Sequence, residues 1–259
     1  MRVHFGLPDD STTISDAIPL YGTKEFESPT RSTIPMLSML KHAPGAFSEI
    51  VAQLDTSPDN YDLYLEYKVR PPKGRGKASH TDVMLLSGDT ALAIEAKWTE
   101  PMYETVYEWL GGEAPQPNRQ QVLEGWLSLL QRHSATELNP LDFSKCTYQM
   151  VHRAASAAAA RPFARLAYLL FKPSADPQTA TSETIFGQLN LLWTLIGKPQ
   201  SFPFFVVEAT IEPTSEFESI RHLPKSQKDT SDAVTAALLG DEPLFEFPSY
   251  TIKRVGEAT

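Results

Sequence analysis

Cysteine is almost absent: Cys146 stands alone among 259 residues, which excludes an internal disulfide and any zinc site built from several cysteines. Long apolar runs are missing as well. No stretch approaches eighteen consecutive apolar residues, and no basic stretch followed by an apolar core opens the chain, so the expectation is a cytoplasmic protein with no membrane contact. His4, His42, His133, His152 and His222 show no metal-ligand spacing. There is no Gly-x-x-x-x-Gly-Lys phosphate loop, no Gly-x-Gly-x-x-Gly after a strand and no Gly-x-Ser-x-Gly elbow. Positive charge is in deficit: Lys and Arg total 23 against 32 Asp and Glu, and the net charge of −9 is not the overall basic footprint of a nucleic-acid binder.

What is present supports a full core. Apolar residues make up 41% of the chain, and strand and helix signals alternate, pointing to one elaborated α/β domain over residues 32–259. Residues 1–31, rich in Pro, Ser, Thr and acids with little periodicity, are expected to wrap the surface as an arm. The apolar pattern predicts a helix over 34–54, interrupted near Pro44-Gly45 and ended by Ser57-Pro58-Asp59-Asn60, then a strand over 61–69. Further along, Asn118 is expected to cap a helix with the stripe Val122, Trp126, Leu129 and Leu130. A helix over 148–160, a strand over 165–172, a helix over 183–196, a strand over 202–211, a helix near 233–239 and a last strand over 244–252 complete the order.

The most informative segment is 81–98, Thr-Asp-Val-Met-Leu-Leu-Ser-Gly-Asp-Thr-Ala-Leu-Ala-Ile-Glu-Ala-Lys-Trp. Two β-rich runs meet at Gly88-Asp89, where a leading Gly suits a type II′ turn. Counting outward pairs Ser87 with Thr90, Leu85 with Leu92 and Val83 with Ile94, and brings Asp82 opposite Glu95. Directly opposed side chains have Cβ atoms roughly 4.5 to 5.5 Å apart, and like charges so placed destabilise a sheet. A hard divalent cation taking oxygen ligands resolves that repulsion. Strand side chains repeat every two residues, so Lys97 projects from the same face as Glu95. Just upstream, 68–77 carries Lys68, Arg70, Lys73, Arg75 and Lys77 without an acid, a loop able to track a phosphate backbone.

The order helix, strand, hairpin, helix, strand, with Asp82 and Glu95-Ala96-Lys97 on the hairpin, resembles the PD-(D/E)XK nuclease superfamily. Thr81 stands where that family usually has proline. The resemblance implies an α/β fold, a restriction endonuclease-like mixed β-sheet core (αβββαβ) over about 34–172 flanked by helices, with an α/β elaboration over 173–259. It implies Asp82 and Glu95 as ligands of Mg²⁺ or Mn²⁺, Lys97 as the cation that orients the attacking water, and DNA as substrate, with a homodimer suited to cutting two strands. A further acid would come from Glu49 on the first helix or from Glu66 on the preceding strand. Arg119 and Gln120 in the first turn of their helix, and Gln149 and Arg153 at i and i+4 on the next, match the glutamine-bearing helices of some branches. The alternative is a catalytically inactive nucleic-acid or protein-binding module of the same fold.

Overall fold

The computed structural model describes residues 2–6, 11–54, 61–174, 176 and 178–257; the turn expected at Ser57–Asn60 lies outside them. The helices are α1 (Ile14–Ala17), α2 (Thr23–Phe26), α3 (Thr33–His42), α4 (Pro44–Leu54), α5 (Val106–Leu110), α6 (Pro117–Leu130), α7 (Tyr148–Ala160), α8 (Ser182–Leu195), α9 (Ser215–Ile220) and α10 (Lys228–Leu239). The strands are β1 (Arg2–Phe5), β2 (Asp62–Val69), β3 (Ser79–Ser87), β4 (Thr90–Lys97), β5 (Phe163–Lys172), β6 (Phe204–Thr210), β7 (Glu212–Pro213), β8 (Phe245–Glu246) and β9 (Tyr250–Arg254).

Seven strands form one mixed sheet in the order β1-β2-β3-β4-β5-β6-β9. β2, β3 and β4 run as an antiparallel meander, whereas β4, β5 and β6 are parallel. A parallel neighbour requires a crossover, and α5 to α7 supply it between β4 and β5. The β3–β4 hairpin has the register the turn chemistry predicts, from Ser87↔Thr90 to Val83↔Ile94. Gly88 has φ +51 while Asp89 does not enter the positive region, the type II′ pattern.

Both faces of the sheet are covered, and alternation decides which side chain goes where. Leu63, Leu65, Val83, Leu85, Leu92 and Ile94 belong to a core shared with α3, α4 and α10. Tyr64, Met84, Leu86, Ala91 and Ala93 belong to a second core shared with α6, α7 and α8. Asp82, Glu95 and Lys97 follow the second set in parity, so they project toward α7, which packs across β3, β4 and β5.

Three expectations change. The amino-terminal segment is no surface arm: β1 pairs in parallel with β2, and Ala17, Ile18 and Phe26 are buried. Its elements are too short to show a helical period. The last strand divides into β8 and β9 around Pro248, which has no N–H for a ladder. Asn118 does not cap α6; Gln116 occupies the cap and Pro117 the first position. The Asn118 amide instead clamps the basic loop, accepting from the Arg75 backbone N–H at 2.7 Å and donating to the Arg75 carbonyl at 2.7 Å.

That clamp depends on close approach. A Cβ on Gly125 of α6 would lie 2.8 Å from the Lys73 backbone nitrogen, and one on Gly74, at φ +72, would lie 2.7 Å from Val122. Gly125→Ala should therefore lift the loop from α6 and destabilise the fold by about 1–3 kcal/mol, the range for overpacking, as measured by urea unfolding.

Candidate active site

Glu95 is 2% exposed, and each of its oxygens has a cationic donor. Lys97 Nζ donates to Oε1 at 3.0 Å and Gln149 Nε2 donates to the same oxygen at 2.7 Å, while Arg153 Nε donates to Oε2. Lys97 comes from two residues further along β4, and Gln149 and Arg153 from successive turns of α7, the i and i+4 spacing that puts both on one face. Burial alone would raise the Glu95 pKa, but Arg153 and Lys97 outweigh it and hold the carboxylate below its usual range. Arg153 and Lys97 are raised in return, against the opposing effect of their own burial.

Asp82 is half-buried and differently placed. Its Oδ2 accepts the Ala96 N–H at 2.7 Å, where a continued ladder would have paired it with Glu95. Burial, and next the Glu95 charge, push its pKa well above the usual carboxylate range, with Arg153 opposing. Glu66 lies across from Asp82 on β2, between the pairs Leu65↔Val83 and Tyr67↔Thr81, at φ +54. A non-glycine residue in that region is strained, and such strain clusters at functional sites. Burial, then the neighbouring Glu25 charge, raise Glu66 to about 7, and its hydrogen-bond partner is His80 Nδ1 at 3.1 Å.

The repulsion anticipated between Asp82 and Glu95 is therefore met first by the protein's own cations. Lys97 and Arg153 neutralise Glu95, whereas Asp82 and Glu66 are pushed toward their neutral forms and Glu25 pairs with Arg31 at 3.4 Å. Among the described residues no three His, Cys, Asp or Glu side chains converge to chelate an ion. Capacity for one is still present. Lys97 and Gln149 take both lone pairs of Glu95 Oε1, but Arg153 takes only one on Oε2, and Asp82 Oδ1 accepts no hydrogen bond among the described residues.

Glu49 is not part of this arrangement. It is exposed on α4, whose apolar side packs on the opposite face of the sheet. Glu25 of α2 lines a depression of about 280 Å³ together with Glu66, Lys68, His80 and Tyr21. The buried Tyr21 hydroxyl has no hydrogen-bond partner among the described residues. Tyr168, opposite Glu95 on β5, is also fully buried with no partner for its hydroxyl among the described residues, and burial followed by the Glu95 charge raises its pKa well above normal. Tyr103 covers Lys97, whose Nζ lies 4.8 Å from the ring centroid.

The basic residues separate. Arg75 and Lys77 line a cleft with Arg119, Trp109, Tyr148 and His152. Lys73 turns away to Glu124 at 3.7 Å, Lys68 joins Glu25 and Glu66, and Arg70 and Gln120 are exposed without a partner among the described residues. Arg119 donates to the Trp109 carbonyl and lies over its ring at 5.6 Å.

Removing one member of a buried ion pair strands the other, at a cost of about 3–5 kcal/mol. Glu95→Gln, which strands both Lys97 and Arg153, should lose that much in urea unfolding, and adding Arg153→Met should recover part of it. Glu66 sets a pH dependence of opposite kind to an ordinary salt bridge. Its folded pKa of about 7 exceeds the reference 4.5, so between those values the fold holds a proton that the unfolded chain releases, and stability falls as pH rises through this window. In chelator, Glu66→Gln should raise the thermal midpoint at pH 8 by about 3 °C or more, the gain shrinking below about pH 5.

No curated protein and no solved structure matches the chain. One family does match, over residues 10–197, from before α2 through α8 and so across Glu25, Glu66, Asp82, Glu95, Lys97 and Arg153. The chain belongs to that family, described as a domain of unknown function, DUF6946.

Proposed function

We propose that this protein is a metal-dependent nuclease of the restriction endonuclease-like, PD-(D/E)XK type, hydrolysing phosphodiester bonds in DNA. The observation that carries the reading is the meeting of Asp82, Glu95 and Lys97 on one face of β3 and β4, with Glu66 across from Asp82 and the protons of Asp82 and Glu66 held abnormally tightly. The αβββαβ order around that hairpin and the two-sided helical cover agree with it.

Asp82 and Glu95 would hold Mg²⁺ or Mn²⁺, with Glu66 as the additional acid. When bound, such an ion supplies Lewis-acid polarisation of the phosphate and a bound water of lowered pKa. The chain's own residues do the rest. Lys97, fixed by Glu95 and Tyr103, presents an ammonium toward negative charge that develops on phosphoryl oxygens. Gln149 and Arg153 hold the Glu95 carboxylate in one orientation, and the Arg153 charge opposes the rise in the Asp82 pKa. Glu66 and Asp82 must lose their protons to act as ligands, so turnover should increase as pH rises through about 7.

A second reading is a binding module of the same fold without catalysis. It is favoured by the Arg153–Glu95–Lys97 set, which neutralises the central carboxylate without any added ion.

The test is cleavage of plasmid and of linear DNA in millimolar Mg²⁺ or Mn²⁺. Asp82→Asn and Lys97→Ala should each lower the rate by about 10²-fold or more in protein that is still folded at the assay temperature, the scale on which a single charge-stabilising group acts. Wild-type rates in either folded variant would end the nuclease proposal. Absence of cleavage in every ion and substrate would favour the binding module.

A further inference from the structure

The cleft beside the acidic centre has a composition of its own. It encloses about 340 Å³ between the clamped loop 74–78, the first turns of α6 and one side of α7. That is the size of a small-molecule pocket. Its wall is aromatic: Trp109 and Tyr148 stack with ring centroids 3.7 Å apart and planes within 10°, and Trp126 Nε1 donates to the Tyr148 hydroxyl at 3.1 Å. Its lip is cationic. Arg75 and Lys77 are exposed, and neither has a carboxylate partner among the described residues.

A polar edge lies between this wall and the carboxylates. Arg153 donates to Ser79 Oγ at 2.7 Å, and Ser79 Oγ lies 2.9 Å from His152 Nδ1. Arg153 also reaches that nitrogen at 3.3 Å, and a guanidinium can only donate, so Nδ1 accepts. Burial and then Arg153 push the His152 pKa well down, leaving a neutral ring with its proton on Nε2, a donor for a ligand in the cleft. Ser79, Tyr148 and His152 also border a smaller depression of about 250 Å³ that reaches Gln149 and Arg153, the two residues holding Glu95. The two residues that hold Glu95 thus border a depression that shares Ser79, Tyr148 and His152 with the cleft.

From this arrangement we infer that the cleft binds one unpaired nucleotide of single-stranded nucleic acid, its base on the open end of the Arg119–Trp109–Tyr148 stack and its phosphate at Arg75 and Lys77. A base in a duplex shows only its edges in the grooves, its faces being covered by its neighbours. An inset aromatic wall with cations at the lip takes a base face, which only an unpaired strand exposes. The inference rests on the phosphodiester reading of the neighbouring centre and adds to it the strandedness of the substrate.

The experiment uses the full chain in chelator, so that nothing is cut, and follows fluorescence anisotropy and intrinsic tryptophan emission. The probes are a labelled oligothymidylate of about twelve nucleotides, within single-strand site sizes, an abasic tetrahydrofuran oligomer of that length and a blunt duplex of that length. The oligothymidylate should bind about tenfold tighter than either and should alone quench tryptophan emission. Trp109→Leu should weaken oligothymidylate binding about tenfold and leave the abasic oligomer unchanged. Arg75→Ala with Lys77→Ala, at exposed positions that do not endanger folding, should weaken both single strands and flatten their salt dependence.

Equal or tighter duplex binding, or an abasic oligomer bound as well as the base-bearing one, would overturn the inference. Subsequent addition of Mg²⁺ separates the two readings. Base-dependent binding without hydrolysis removes the nuclease and keeps the cleft. Hydrolysis without base-dependent binding does the reverse.

Discussion

A carboxylate enclosed between a sheet and a helix loses several kcal/mol of hydration, and it survives as an anion only if the enclosing groups replace that water. Glu95 meets this condition through Lys97 on its own strand and Gln149 and Arg153 on α7. The position of α7 over β3 to β5 is thereby tied to one charge. Arg153 in turn orients Ser79 and His152, and α7 presents Tyr148 to Trp109. The same contact network therefore forms the roof of the acidic centre and one side of the neighbouring cleft.

The other acids show what happens where such replacement is incomplete. Asp82 has a backbone N–H and Glu66 an imidazole nitrogen, and both carboxyls retain their protons to higher pH than usual. The site is thus divided into a neutralised carboxylate and an under-neutralised pair. A fold that tolerates the second arrangement gives up stability as pH rises toward neutral.

The hairpin was legible because its information is local: Gly88 selects the turn, the turn selects the register, and alternation assigns Asp82, Glu95 and Lys97 to one face. The bounds of α7 could likewise be read from Tyr148 and the stop at Pro162. What stayed hidden is long-range. A helical period tells which side of α4 is polar but not which face of the sheet α4 covers, so Glu49 was placed at a site it faces away from. Asn118 has the chemistry of a cap, yet its amide is used on Arg75, 43 residues away in sequence. Glu25 sits in a four-residue helix with no periodic signal, and Glu66 reaches its place through a backbone conformation that strand alternation does not announce.

The position of β6 has a consequence for how the family domain can be handled. The match to the family ends at residue 197, before β6 begins, although β6 lies against β5 in the middle of the sheet's second half, followed by β9. β5 is apolar on both sides along most of its length. A fragment cut at 197 would leave this strand with an unsatisfied row of amides and carbonyls facing outward, an open template for sticking to other chains. The borders recognised in sequence and the borders of the cooperative unit are different, and the latter includes the carboxyl-terminal strands.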